Sequence, residues 1–519
     1  MVSWGLLHPG PARPAGLRQQ PLVPYSAEGG RVLTRASDTR PHRINCVDQR
    51  THLRNLTLRT LTPAVALLLL AGCTDSGAAG HGKPGASGVR DPLFRGLGNG
   101  GYDVQRYALT LDYEPETGRL KGTAEITADA TQDLSAFNLD LHKLTVDSAT
   151  VDGKKAAANQ AGDELTLRPH RDIDKGETFR AVIRYSGEPQ KVINKGSDGK
   201  AGDEEGWLQT TDGTLAVGQP TGSMAWFPSN NHPSDKASYD IKVTVPKRLK
   251  AISNGELMSQ RTTGGRTTFA WKSKDPMASY LVTLAIGEYD VKDSRTSSGL
   301  RVLTAVEPAV AGESAELLAR IPEITEWATG NFGPYPFSSI GAIVVPTDEV
   351  DYALETQTRP VFPVEQFDVE TLVHEIAHQW YGNSVTPESW KDMWLNEGLA
   401  TYAEWIWAED FENTPAQESF EEAFADEENW AFPPADPPSA AEVSDRPVYG
   451  RGAMVIHKIR QVVGNDTFYD IVKGWARANR HGNASTADFT AYVEKMSGKD
   501  LGKEVWDTWL YGSDKPAQP

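Results

Sequence analysis

Between Tyr102 and about Val302, apolar and polar residues alternate in short runs: YALTLDYE (107–114), TAEITADA (123–130), FNLDL (137–141), ELTLRP (164–169) and FRAVIRYSG (179–187). A period of two sends successive side chains to opposite faces of a strand. Turn residues separate the runs, and Asp152-Gly153 and Gly264-Gly265 are hairpin signals. The pattern predicts an all-β sandwich or saddle over 102–302, with the polar stretch 196–213 as a loop. After Ser314 the period lengthens. AELLARIPEITEWATGNF (315–332) has helical spacing, SSIGAIVVP (338–346) reads as a strand, and VETLVHEIAHQWYGNSV (369–385) reads as a helix stopped by Pro387. Helical runs continue to EVWDTWLYG (504–512), so 303–515 is expected to be a second, mainly helical domain with a small sheet. The fold class is therefore α+β and multidomain, as a length of 519 residues requires.

Before Tyr102 the periodicity disappears. Arg54 and Arg59 precede an apolar run from Leu61 to Leu70, too short to span a bilayer as a helix. The run ends in Leu70-Ala71-Gly72-Cys73, which resembles the lipobox of bacterial lipoproteins. That resemblance implies cleavage before Cys73, lipidation of its thiol, and a mature chain anchored on the extracytoplasmic face of the membrane, or secreted. Residues 1–72 would be the leader, with 1–46 read as a start assigned too far upstream, and the Gly/Ser-rich 73–101 as a flexible tether. Cys46 and Cys73 are the two cysteines, so no disulfide is expected in the mature protein. The net charge of −18 excludes nucleic acid as a partner. Residues 1–72 carry nine Arg and three acidic residues, so the rest of the chain carries −24.

The strongest chemical signal is His374-Glu375-Ile376-Ala377-His378. Positions i and i+4 share one helix face, so two imidazoles can converge on one cation with Glu375 beside it. A catalytic zinc needs a third protein ligand. Glu397, in Trp394-Leu395-Asn396-Glu397-Gly398, opens the next helical run and can point back. Apolar neighbours Ile376, Ala377, Trp380 and Tyr381 imply burial, and buried His and Glu require partners. The reading is one Zn2+ per chain on His374, His378 and Glu397, with Glu375 as general base for peptide hydrolysis.

HEIAHQWYGN…WLNEG resembles the zinc segment of the aminopeptidase N family of gluzincins. The resemblance extends from about Gly100 to Tyr511 and implies a thermolysin-like catalytic domain. It implies a catalytic tyrosine, Tyr449, in Val448-Tyr449-Gly450-Arg451-Gly452-Ala453. It implies a substrate-flanking strand at Tyr352-Ala353-Leu354-Glu355-Thr356, where Ala353 lies along the peptide and Glu355 binds its free ammonium. Tyr352 and Thr356 replace the Gly and Asn usual there. Gln219, in Val217-Gly218-Gln219-Pro220, is similar to the residue that meets the same amine from the N-terminal domain. Larger family members add a C-terminal helical domain, so a short form with a more open cleft is expected, acting as a monomer on peptides with a free N-terminus. A thermolysin-type endopeptidase and a catalytically silent lipoprotein binding module are the alternatives. From Asp392 to Asp445 there are fifteen acidic residues and no Lys, Arg or His. These form either a solvated helix face or a negative rim that favours cationic N-termini.

Overall fold

The computed structural model describes residues 82–195 and 201–517. The leader, Cys73 and the first part of the expected tether lie outside the described residues. Among the described residues, no helix is long and apolar enough to cross a membrane.

The alternating runs build an eight-stranded sheet. Its order is Glu256–Thr263, Arg266–Ala278, Lys236–Pro246, Tyr102–Glu114, Arg119–Ala130, Thr178–Gly187, Thr145–Val151 and Lys154–Lys155. In Tyr102–Glu114 the inward positions Tyr107, Leu109, Leu111 and Tyr113 are at most 1% exposed. Each fully buried apolar side chain contributes roughly 1.5–3 kcal/mol. A four-stranded sheet and a five-stranded sheet complete this β-rich domain. In the five-stranded sheet, Thr214–Val217 and Leu284–Gly287 are buried at every position, so period-two alternation is lost there.

The second domain has a mixed sheet ordered Asp290–Arg295, Arg301–Val306, Ser339–Val345 and Val361–Pro363. Arg301–Val306 runs parallel to Ser339–Val345, and the connection between them is helix α1, Ala311–Phe332. Six further helices follow: α2 Val369–Ala377, α3 Trp394–Trp407, α4 Ala416–Ala425, α5 Gly452–Val463, α6 Asn465–Ala478 and α7 Thr486–Ser497. A β-rich domain ahead of a mainly helical domain with a small sheet is the predicted architecture.

Four local expectations are corrected. The stretch expected as a tether is packed from Gly82 onward: Lys83–Pro84 pairs with Leu134–Asp140, and Asp91 is 3% exposed. The Asp91 carboxylate accepts hydrogen bonds from the amides of Phe94 and Trp390 and from Ser389 Oγ, and it pairs with His232 Nε2 at 3.2 Å. Burial would raise its pKa, yet His232 and these amides hold it below the usual carboxylate range. Composition signalled a linker because a segment held by one buried carboxylate needs few apolar residues. Part of the expected loop 196–213 is strand, with Ala201–Gln209 pairing with Thr214–Val217. The sheet change falls before residue 302, because Asp290–Arg295 pairs with Arg301–Val306 in the second sheet. Helix α2 ends at Ala377 rather than near Pro387: Gly382 adopts a φ of +129°, and the amides of Asn383, Ser384 and Val385 turn back to the carbonyls of His378, Gln379 and Trp380.

A carboxylate pair sits where the two domains meet. Glu349 accepts from the Thr211 amide at 2.9 Å, and Glu307 is 8% exposed with Oε1 unpartnered. Burial, then Glu349 and Asp212, push Glu307 up to about 8. Its folded pKa lies above the unfolded value, so its contribution to stability is full below about pH 4.5 and is lost as pH rises through about 8. Thermal denaturation from pH 5 to 9 is expected to show wild-type stability falling across this window and Glu307→Gln flattening the fall. Parallel pH profiles would refute this.

Candidate active site

Helix α2 is N-capped by Asp368, whose carboxylate accepts from the Thr371 amide at 2.8 Å. The helix carries His374 and Glu375 in its last turn, and His378, just past its end, is still α-helical at φ −55° and ψ −25°. The one-turn spacing therefore survives the early helix end. Glu397 lies in the first turn of α3. His374 Nε2 and His378 Nε2 both lie 3.3 Å from Glu397 Oε2. That separation is the edge of a tetrahedron with bonds of about 2.0–2.1 Å.

Second partners select the tautomers. His378 Nδ1 donates to the Tyr381 carbonyl at 3.0 Å, and His374 Nδ1 pairs with Glu404. With both Nδ1 protons committed, each neutral ring turns an Nε2 lone pair toward a carboxylate oxygen. Those lone pairs repel unless a cation or extra protons lie between them. Without a cation, protons are retained. Burial would lower the histidines, but Glu397 outweighs it, raising His378 to about 9 and, together with Glu404, raising His374 well above its usual range. Burial would likewise raise Glu397, but the imidazoles hold it at about 2. The donor set, two imidazoles and one carboxylate, fits zinc. The sequence reading missed Glu404. Its signal was a position seven residues after Glu397, two turns along the same face of α3.

The other site residues face a cavity of about 330 Å³ that these ligands help to line. Glu375 is 5% exposed and its Oε2 has no partner; burial pushes the side chain up to about 8, against the pull of the two histidines. Glu355 is 2% exposed and accepts a hydrogen bond from Gln219 Nε2 at 3.2 Å. Glu355, Glu375 and His378 each place one ligand atom within 4.8 Å of the others. Ala353 lines the same wall. The backbone of Glu355 is fixed by the helix motif itself, because Asn383 Nδ2 and Gln379 Nε2 donate to its carbonyl at 2.6 and 3.3 Å. Thus two residues of HEIAHQWYGN hold the 352–356 segment, which is not the expected strand but pairs only through the isolated bridge Leu354–Val361. Of the two replacements there, the Tyr352 hydroxyl donates to the Glu204 carbonyl and Thr356 Oγ1 donates to the Arg359 carbonyl.

Tyr449 stands in the turn Pro447–Arg451 just before α5, its ring stacked over His374 at 6.0 Å. Burial and the nearby Glu397, Glu355 and Glu375 keep its phenol protonated, well above its usual range. Two glycines set the distance: a Cβ on Gly398 of α3 would lie 2.7 Å from the Gly452 carbonyl carbon of α5. The buried Arg451 then anchors the turn, donating to the carbonyls of Trp509, Phe432, Thr508 and Gly512.

The peptidase M1 N-terminal domain profile matches residues 103–281, and the peptidase family M1 domain profile matches 363–509. Together they account for more than half of the chain. Among curated proteins, the chain is 26% identical over 445 residues to aminopeptidase M1 of Arabidopsis thaliana, covering 78% of this chain and 50% of that protein. It is 24% identical to leucyl aminopeptidase of Saccharolobus solfataricus, covering 80% and 54%. The chain spans about half the length of the curated relatives it matches. A crystal structure of a two-domain M1 zinc metallopeptidase bound to L-tryptophan aligns with TM-score 0.77 at 27% identity, covering 83% of this chain and 99% of that one. An M1 zinc metallopeptidase of Deinococcus radiodurans bound to a Tyr-Ser-Ala substrate aligns with TM-score 0.74 at 28% identity, with the same coverage.

Metal analysis after dialysis is expected to find one zinc per wild-type chain and none in His378→Ala. Glu404→Gln should keep the site but weaken zinc affinity about 10–100-fold in a chelator competition. Unchanged affinity would show that Glu404 does not position His374.

Proposed function

The chain belongs to the M1 peptidase family, and from that membership and the site geometry we propose that it is a zinc-dependent aminopeptidase, releasing the N-terminal residue of peptides. One observation carries the reading. The Glu355 carboxylate, held by Gln219, and the Glu375 carboxylate place their oxygens within 4.8 Å. An ammonium paired with Glu355 therefore leaves room for only one residue before the bond that Glu375 can reach.

Bound on His374, His378 and Glu397, zinc supplies Lewis acidity, polarising the scissile carbonyl and acidifying water toward neutral pH. Glu355 and Gln219 fix the substrate ammonium, and the wall around Ala353 aligns the first residue. Glu375 Oε2, otherwise unpartnered, accepts the proton of the attacking water and returns it to the leaving amine. The Tyr449 hydroxyl, protonated across the working pH range, donates to the oxyanion that develops on the carbonyl.

The chain covers 99% of a two-domain M1 structure, which supports a two-domain short form. A monomer is the proposed state, and sedimentation equilibrium tests it. The Leu70-Ala71-Gly72-Cys73 motif supports anchoring by lipid on Cys73 at the extracytoplasmic membrane face. Cys73→Ala should release the protein from the membrane fraction, and mass spectrometry of the native N-terminal peptide should find a diacylglyceryl cysteine.

N-terminal acetylation of a good substrate should lower kcat/KM by about 10²-fold or more, because a buried carboxylate is left unpaired. Efficient cleavage of the acetylated peptide would favour an endopeptidase instead. Glu375→Ala should lower kcat by about 10²–10⁴-fold with zinc retained. Tyr449→Phe should lower kcat by about 10²–10³-fold with little change in KM.

A further inference from the structure

Four of the fifteen acidic residues of 392–445, Glu404, Glu412, Glu422 and Asp426, meet in one cavity. This cavity, of about 880 Å³, lies between the start of α2, the solvent side of α3, α4 and the Tyr449 turn. Asp368, Glu370, Glu404, Glu412, Glu422 and Asp426 line it. Its one basic wall residue, Arg446, is already held by Asp426 and Glu428, each at 3.1 Å. Trp405 adds apolar wall against which the methylene stem of a lysine or arginine can pack.

This cavity shares Glu370, Glu404 and Tyr449 as walls with the cavity of the zinc ligands, so the two adjoin. Glu375, 5% exposed and with Oε2 unpartnered, lines the smaller cavity beside these shared walls. Glu355 and Gln219 line only the smaller cavity. A peptide held by its ammonium at Glu355 and cut beside Glu375 must carry its remaining residues away from Glu355. The acidic cavity is the continuation that shares walls with the catalytic one.

We propose that the acidic cavity receives the residues on the C-terminal side of the scissile bond and selects peptides with lysine or arginine there. The inference rests on the aminopeptidase reading and names its substrate class. It also relocates the charge effect: the negative rim acts on the residues after the cleaved bond, not on the N-terminal one. A cleft lined by one sign of charge concentrates counter-charged ligands. Most of these carboxylates face solvent, so added salt weakens the effect.

The test uses the zinc-loaded full chain and the peptides Ala-Lys-Ala-Ala, Ala-Gln-Ala-Ala and Ala-Glu-Ala-Ala. At low ionic strength kcat/KM is expected to fall in the order Lys, Gln, Glu, with a Lys/Glu ratio on the order of tenfold or more. High salt should bring that ratio close to one. Glu412→Gln combined with Glu422→Gln, both on exposed side chains, should reduce the Lys/Glu ratio at low salt. Equal rates for the Lys and Glu peptides, with the Gln peptide cleaved normally, would overturn this inference alone. A ratio that survives both salt and the double variant would overturn it too. Failure to release alanine from the Gln peptide would overturn the aminopeptidase reading and this inference with it.

Discussion

Two imidazole nitrogens and one carboxylate oxygen share a few ångströms of buried space, and much of the catalytic domain is arranged to hold them there. The Nδ1 atoms are committed to Glu404 and to the Tyr381 carbonyl, so the Nε2 lone pairs have nowhere else to point. Such a set is unfavourable unless a cation or bound protons offset it. The same repulsion that makes the empty cluster costly makes zinc binding a stabilising event for the fold. Metal affinity and folding free energy are thus two views of one constraint.

The supporting packing extends far from the ligands. Close contact between Gly398 and Gly452 brings the Tyr449 turn to the ligand helix, and Arg451 ties that turn to the chain's last helical segment. On the other side, Gln379 and Asn383 hold the backbone of Glu355. The β-rich domain contributes more than Gln219. Lys236, from its strand Lys236–Pro246, donates to the carbonyls of Asn383, Ser384 and Gly482, and burial lowers it to about 7. Lys236 thus ties the β-rich domain to the turn that follows the second histidine, and Asp91 makes a second junction at Ser389 and Trp390. Gln219, Glu355 and the ligand cluster therefore keep their spacing through hydrogen bonds that cross the domain boundary.

Like charges are treated in two ways here. The buried carboxylates near the metal and at the domain junction lie where water cannot screen them, so their ionisation is linked to a cation or a proton. Around the larger cavity the carboxylates remain in contact with solvent, where repulsion is tolerable. There, burial and the charge of Glu404 still lift Glu370 to about 7, with Glu404 the larger cause. One excess of acid thus serves both as an internal constraint and as an external field.

Much of this was legible in the chain itself. A period of two announced the β-rich domain. The one-turn spacing of His374 and His378 announced two ligands, because within one helix geometry turns sequence separation directly into distance. Glu397, on the next helix, followed from the need for a third ligand. The packing of 82–101 was not legible, because a glycine-rich segment reads as a linker until the partners of Asp91 are known. The early end of α2 and the strand within 201–209 were hidden because a tight turn at Gly382 and a hairpin pairing with 214–217 are set by backbone hydrogen bonds that leave no hydrophobic period. Gln379 and Asn383 stood in view without roles, since a hydrogen bond to a backbone carbonyl leaves no periodic trace. Glu404, by contrast, did carry a signal, two turns past Glu397 on the same face. Which acidic residues would gather in one cleft, and on which side of the metal, was decided by the packing of α2, α3 and α4, because sequence separation carries no information about distance between different elements.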